Sequence, residues 1–502
     1  MAIRQVQFTN TLTRKKEVLK TREPGKVSFY SCGPTVWGSI HIGNLRAALV
    51  ADLVNRVLKR AGYDVCFVRN YTDVDDKIIE RGKKEGKTAL EVADFYLKEV
   101  EKDYAVAALL EPTHKCRVTE TIPEIITMIE KIIAKGHAYV IDTGEVLFSV
   151  ASFPNYGKLS HKKLEDLTAG IRVEVNEKKK NPMDFSLWKP AKPDEPFWDS
   201  PWGKGRPGWH IECSAMSGKW IGAQMDIHHG GEDLMFPHHE NEIAQSEAAS
   251  GLEPYTGIWL HNAFLTMSKT KMSKSLGNVV TARDFLVRYG TEVARMFCIG
   301  SHYRSIIDLE ESSIEHTLAS LQRIYVVKKV AAELAVKRMT VADPRSEAAW
   351  GIFLAEVDPC RARIDECYFN DLNTAGALAE LFTLIRSFNR VLGEPRAAAT
   401  AAAALAAQQL LAVIEQDIGS VIGVGRLMPE KGLAEIDRIK REMAVSGGKE
   451  RPEAAEIEQQ IAARIAARVA KDFAEGDRIR KDLEARGVVL KDSPAGTTWS
   501  YK

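Results

Sequence analysis

The chain has 502 residues, enough for about three domains at roughly 150 residues each. Hydrophobic residues make up 45% and charged ones 27%, an ordinary globular composition. The net charge of +1 excludes a global basic field, so any nucleic-acid partner has to be met by local patches.

The seven cysteines, at 32, 66, 116, 213, 298, 360 and 367, are odd in number and include no Cys-x-x-Cys pair. That excludes a secreted disulfide scaffold and fits a reducing compartment. The start, Met1-Ala2-Ile3-Arg4-Gln5-Val6, has no apolar core of signal-peptide length. No stretch approaches the ~18 uninterrupted apolar residues of a membrane span. The expectation is a cytoplasmic protein with no membrane partner.

In chain order, the first buried strand is Val27 to Tyr30, and Ser31-Cys32-Gly33-Pro34-Thr35 follows it. Next comes His41-Ile42-Gly43-Asn44, then a helical repeat in which Leu45, Leu49, Val50, Leu53, Val54, Val57 and Leu58 share one face. Strand, loop and helix start make the phosphate-facing corner of a nucleotide-binding α/β sheet. Gly43 lets a base lie against the backbone, and His41 and Asn44 carry donors for a triphosphate. The four residues recur by chance elsewhere; their place between strand and helix gives them meaning.

A second buried strand, Val65 to Arg69, runs into Asn70-Tyr71-Thr72-Asp73. These polar residues stand at the carboxyl end of a strand, where open α/β sheets bind ligands. A cap for a helix from Lys77 onward is an equal reading of Thr72-Asp73. A helix from Ile122 to Lys135 ends at Gly136. From there to about residue 205, short strands (Ala138 to Ile141, Val146 to Val150), a Lys178-Lys179-Lys180 run and clustered Pro and Trp read as an insertion. The lysine run reads first as a solvated loop.

The α/β pattern returns at Met225 to Leu234, with Gly230, Gly231 and Asp233 at a strand end. Pro237 is expected in the first turn of a helix that carries His238, His239 and Glu242. Residues 313 to 425 read as helical, and composition leaves Ala397 to Ala407 open between helix and loop. A Gly-containing link at Val445 to Lys449, a basic amphipathic helix at Ile457 to Val469 and a compact end at Gly496-Thr497-Thr498-Trp499 make a separate C-terminal module.

Two constellations carry chemistry. Cys32, Cys213 and the pair His238/Glu242, four apart on a helix face, are able to meet around one zinc. His239, His228 and His229 compete for the same role, and lone cysteines are most often core. The second is Lys271-Met272-Ser273-Lys274-Ser275. Two lysines on a short loop supply mobile cations for the charge that builds on phosphate oxygens in nucleotidyl transfer.

Together these motifs resemble the class I aminoacyl-tRNA synthetases, and within them the cysteinyl-tRNA synthetase family. The resemblance rests on Cys32-Gly-x-Thr35 before His41-Ile-Gly-Asn44, Trp209-His-Ile-Glu-Cys213-Ser-Ala-Met, Phe236-Pro-His238-His-Glu-Asn-Glu242 and Lys271-Met-Ser-Lys274-Ser. Phe369-Asn-Asp-Leu-Asn-Thr374 and Gly496-Thr-Thr-Trp499 extend it through nearly the whole chain. It implies a Rossmann-type parallel sheet at 1–125 and 211–265, split by a connective insertion at 126–210. A lysine-loop region at 266–312, a helical bundle at 313–425 and an anticodon-binding module at 426–502 follow.

The resemblance further implies ATP-dependent ligation of L-cysteine to tRNA(Cys) through a cysteinyl-adenylate, by a monomer without an editing domain or a DNA partner. One zinc would be held by Cys32, Cys213, His238 and Glu242. Catalysis would fall to His41, Asn44, Lys271 and Lys274. ATP, with Mg²⁺ on its phosphates, would meet His41, Gly43, Asn44, Gly230, Gly231, Asp233 and Lys274. The amino-acid pocket would be lined by Thr35, Thr72 and Trp209, although plain core is the rival reading of Trp209.

Asn44 stands where many members have His, and His228-His229-Gly230-Gly231 where some relatives have His-Gly-Gly-Gly. The alternative activity is a ligase that joins activated cysteine to a small amine, as in mycothiol biosynthesis. Those proteins lack the C-terminal module.

Overall fold

The computed structural model describes the chain apart from residues 1–2, 163–178, 268–269, 272–278, 337–342, 396, 447–451, 471, 494–495 and 502. It divides into two compact units, residues 1–314 with 331–426, and residues 315–330 with 427–502.

The first unit is built on a five-stranded parallel sheet. Its strands are β1 (Lys26–Ser31), β2 (Asp64–Tyr71), β3 (His114–Arg117), β4 (Met225–Gly231) and β5 (Thr256–Asn262), in the order β5-β4-β1-β2-β3. The order reverses between β1 and β4. At such a switch point the loops leave in opposite directions and open a crevice beyond the carboxyl ends of the strands. Ser31 pairs with both His229 and Arg69, and the Cys32 N–H continues the ladder to the His229 carbonyl at 3.1 Å. Cys32 therefore stands in the crevice itself.

Helix α1 (Ile42–Arg60) follows β1. All seven apolar residues of its predicted face are buried, but so are Arg46, Asp52, Asn55 and Arg56. The Asp52 carboxylate accepts from Arg56 Nε and Arg295 Nη2, each at 2.7 Å, and from the Leu110 N–H at 2.8 Å. Helix α2 (Ile122–Ala134) ends before Gly136, whose φ of +80° suits a residue without Cβ. Between α2 and helix α3 (Trp209–Trp220) lies a four-stranded antiparallel sheet, Ala138–Val140, Val146–Phe148, Phe185–Pro190 and Gly205–Pro207. At its edge the Lys179 ammonium donates to the Asp184 carbonyl, and Lys180 lies over the Tyr139 ring. Those two lysines hold the insertion's own rim.

The helix expected to open at Pro237 begins later. Phe236 is extended (φ −138°, ψ 131°), as a residue before proline is driven to be. Met235–His239 forms one wide turn, and regular helix, α4, runs over Glu240–Ser250. Beyond β5 come the short strands Leu265–Met267, Thr270–Lys271 and Ile307–Leu309, and helix α5 (Ala282–Ile299). Helices α6 (Pro344–Phe369), α7 (Thr374–Leu392) and α8 (Ala401–Ala412) form a bundle around Trp350, Phe353 and Phe388. The alanine tract is settled as packed helix: Ala403, Ala406, Ala407 and Leu410 are buried.

In the second unit, Ala454–Val469 and Phe473–Ala485 pack Ile457, Ile461, Ile479 and Leu483 against Val488 and Leu490 of a hairpin, Val488–Ser493 with Gly496–Tyr501. The Arg464 guanidinium grips the Asp492 carboxylate through two hydrogen bonds of 2.8 Å. Among the described residues no helix is long and apolar enough to cross a membrane.

Candidate metal centre and active site

Four side chains from three segments converge on one point in the crevice. Cys32 comes from the end of β1, Cys213 from α3, His238 from the wide turn and Glu242 from the first turn of α4. Cys32 Sγ lies 3.7 Å from Cys213 Sγ, 3.9 Å from His238 Nε2 and 3.7 Å from Glu242 Oε1. His238 Nε2 and Glu242 Oε1 are 3.1 Å apart. With bonds of about 2.3 Å to sulfur and about 2.0–2.2 Å to nitrogen or oxygen, neighbouring ligands of a tetrahedral ion sit roughly 3.2–3.8 Å apart. The donor set fits such an ion.

Its electrostatics fit too. Cys213 is drawn down to about 6, first by the Cys32 S–H and then by His238 against the pull of burial, while burial pushes Cys32 well up. Burial would lower His238, but Cys213 and Glu242 outweigh it and raise the imidazole to about 10. Burial would raise Glu242, but His228 and His238 hold it at about 2. Negative donors thus surround a position where protons alone supply the balancing charge. A buried cluster of that kind is the environment a divalent cation completes.

A second combination, Cys32, His228, His239 and Glu242, is also close enough to share an ion. His228 Nε2 donates to the other carboxylate oxygen, Glu242 Oε2, at 2.9 Å, the place of a partner that orients a ligand. His239 Nε2 is 3.5 Å from Cys32 Sγ, and its Nδ1 bonds His261 Nε2 at 2.8 Å. His261 Nδ1 in turn meets Thr11 Oγ1 at 2.8 Å. Burial holds His210, His239 and His261 well below the usual histidine range, so these imidazoles are neutral.

Of the other site candidates, Trp209, Thr72 and Gly230 touch residues of this centre or next to it. Trp209 is 40% exposed and its ring stacks on His238, centroids 4.4 Å apart at 28°, so it is not core. Thr35 and Thr72 form a bridge between the loops after β1 and β2, with the Val36 N–H donating to the Thr72 carbonyl at 3.0 Å. Gly33 makes that approach possible: a Cβ there would fall 1.7 Å from the Asn70 carbonyl oxygen. Thr72 Oγ1 donates to Glu212 at 2.9 Å, and Asp75 caps the next helix, not Thr72 or Asp73. Gly230 and Gly231 close β4, and a Cβ on Gly230 would strike the His239 ring at 2.5 Å. Asp233 lies in the turn that follows.

His41 and Asn44 form a reciprocal capping box at the start of α1. The Asn44 N–H donates to His41 Nδ1, and the His41 N–H donates to Asn44 Oδ1, each at 3.2 Å. Because Nδ1 accepts, the neutral ring carries its proton on Nε2, the tautomer that donates to a phosphate. Gly43 sits between them in the first turn. The backbone of Lys271 pairs with Thr266; Lys274 lies outside the described residues. His210, His261, Thr11 and Glu212 are partners that sequence reasoning did not assign. A histidine at the end of a buried strand, as at 261, was the available signal.

Residues 18–319 match the model of the class I (C) tRNA synthetase catalytic domain, and residues 365–424 the DALR domain. The chain is 47% identical over 501 residues to the cysteine–tRNA ligase of Geobacter sulfurreducens, covering 98% of this chain and 99% of that one. It belongs to the cysteinyl-tRNA synthetase family. The cysteine–tRNA ligase of Methylococcus capsulatus is 44% identical over 98% of this chain and 99% of its own length. A solved structure of Mycobacterium tuberculosis methionyl-tRNA synthetase with methionyl-adenylate superposes with a TM-score of 0.59 at 14% identity. The match covers 82% of this chain and 93% of that one. That likeness is one of fold: a cysteinyl-tRNA synthetase shares the class I sheet with enzymes for other amino acids.

Proposed function

We propose that this chain ligates L-cysteine to tRNA(Cys) in two steps, first forming cysteinyl-adenylate and pyrophosphate from cysteine and ATP. The observation that carries the reading is the convergence of Cys32, Cys213, His238 and Glu242 at the switch point of the sheet, in a chain whose full-length relatives are cysteine–tRNA ligases. We assign zinc to these four residues, because two thiolates, an imidazole and a carboxylate suit that ion. When bound, zinc supplies a soft Lewis acid that takes a thiolate in preference to the hydroxyl of serine. A pocket that measured size alone would separate such isosteres by about 10²-fold.

The chain's own residues do the rest. Trp209, stacked on His238, forms one wall of the amino-acid pocket, and Thr35 and Thr72 close it below. His41 Nε2 and Asn44 Nδ2 donate to the phosphates of ATP, which Gly43, Gly230, Gly231 and Asp233 border. Lys271 and Lys274 bring cations to the oxygens that gain charge as pyrophosphate leaves, with Mg²⁺ on the phosphates. The activated cysteinyl group then passes to a ribose hydroxyl at the tRNA 3′ end. Residues 426–502 serve as the tRNA-reading module of a cytoplasmic monomer, a setting with which seven free thiols agree.

The test is cysteine-dependent ATP–pyrophosphate exchange, with serine as control, on the wild type and on Cys213→Ser, alongside zinc content. Exchange specific for cysteine and lost together with zinc supports the reading. Exchange with another amino acid, or full selectivity without zinc, overturns it.

A further inference from the structure

The segment that carries Lys271 and Lys274 leaves and rejoins the fold at the first turns of α1. On the rejoining side, the Ile42 N–H donates to the Val280 carbonyl at 3.1 Å and the Ala282 N–H to the Ile40 carbonyl at 2.8 Å, with His41 bridging Thr281. On the leaving side the contact is a side chain. Arg46 is fully buried, and its Nη1 donates to the carbonyls of Ala263 (2.9 Å) and Phe264 (2.6 Å), its Nη2 to those of Tyr303 (3.3 Å) and Ser305 (2.6 Å). Just beyond these carbonyls, Leu265–Met267 pairs with Ile307–Leu309 on one side and with Thr270–Lys271 on the other. One guanidinium therefore holds both strands at the root of the lysine segment.

We propose that Arg46 is a positioning residue for ATP activation, fixing the root of the lysine segment against the helix whose first residues present His41 and Asn44. Among the described residues Arg46 has no carboxylate partner. A cation buried without a counter-ion is costly, and here the carbonyl dipoles of two segments, each leading into a strand, are what it holds. A planar fork reaches four acceptors at fixed angles; a lysine ammonium has three donors at one point. The Tyr303 hydroxyl extends the tie, donating to Asp371 Oδ1 at 2.8 Å, where the Thr9 N–H also binds.

The inference rests on the proposed cysteine activation, so its test carries one readout that does not. Arg46→Lys and Arg46→Met are made in the full-length chain. Pyrophosphate exchange, zinc content, melting temperature and the rate of tryptic cleavage at Lys271 and Lys274 are then measured. Arg46→Lys is expected to lower kcat of exchange about 10- to 100-fold, the scale on which a misplaced catalytic group acts, and to raise the KM for ATP. The KM for cysteine stays within about twofold and zinc content is unchanged, because the four candidate donors come from other segments of the chain. Cleavage at the two lysines rises severalfold over other tryptic sites.

Arg46→Met acts in the same direction and more strongly; should it fail to fold, Arg46→Lys alone decides. Normal kcat in folded Arg46→Lys overturns the proposal, as does a loss matched by lost zinc or by faster cleavage everywhere. A wild type without cysteine-dependent exchange defeats the functional reading instead, and the cleavage pattern still tests the role of Arg46.

Discussion

Cys213 does two things at once: its backbone is part of a helix whose first residue is Trp209, and its sulfur faces Cys32. Replacing Trp209 by Ala removes the ring stacked on His238 but none of the four candidate metal ligands. An aromatic stack is worth about 0.5–1.5 kcal/mol, so the KM for cysteine should rise about 2- to 10-fold with zinc content intact, as steady-state exchange would measure. Asp52 is the opposite kind of residue, buried in α1 and bound to two guanidiniums and a backbone N–H. Asp52→Ala leaves the buried guanidiniums of Arg56 and Arg295 without their carboxylate. The expected cost is about 3–5 kcal/mol in denaturant unfolding. At this scale the helix start at His41 to Asn44 was legible because it lies in a short run of sequence. Arg46, His261 and Thr11 were not, since what gives each its role is a carbonyl or imidazole from a distant segment.

Among elements, α1 shows where periodicity stops informing. Its apolar face was plain, yet the helix is covered on every side, and Arg46, Asp52 and Arg56 among its buried polar residues are matched by carbonyls, an N–H and a charge that arrive from residues 108, 110, 263–264, 295, 303–305 and 420. The alanine tract is the converse case. Alanine favours helix but has no side chain long enough to mark a buried face, so packing alone decided it. Ala403→Leu should therefore cost about 1–3 kcal/mol by overfilling the bundle, while Ala401→Leu on the exposed side should cost almost nothing; thermal melts separate the two. The turn at Phe369 to Thr374 places Asp371 and Leu372 at φ of +63° and +56°. No spacing rule foretold two adjacent left-handed residues without glycine there; the hydrogen bonds of Asp371 to Thr9 and Tyr303 hold them.

For the whole molecule, the division into two units predicts separable responses to acid. Asp492 is held below the usual carboxylate range, first by its hydrogen bonds from Arg464 and then by Thr497. A carboxyl depressed in the folded state contributes stability that is fully present above its unfolded value of about 3.9 and is lost as pH falls through the lower folded value. The 427–502 region should accordingly lose stability below about pH 4. Asp492→Asn should remove that acid dependence and lower its unfolding free energy at neutral pH, read by hydrogen exchange over residues 454–493. The rate of cysteine-dependent exchange should not change, because the residues proposed for activation belong to the other unit.

Two sulfurs in one donor set would give the centre a spectroscopic signature once an open-shell metal replaced zinc. Cobalt(II) seated there would absorb in the near ultraviolet through sulfur-to-metal charge transfer, at an intensity that counts thiolates. Added cysteine would bring a third sulfur and deepen the band; added serine would leave it as it was. The selectivity of the pocket would then be visible in a cuvette, with no nucleotide, no RNA and no turnover.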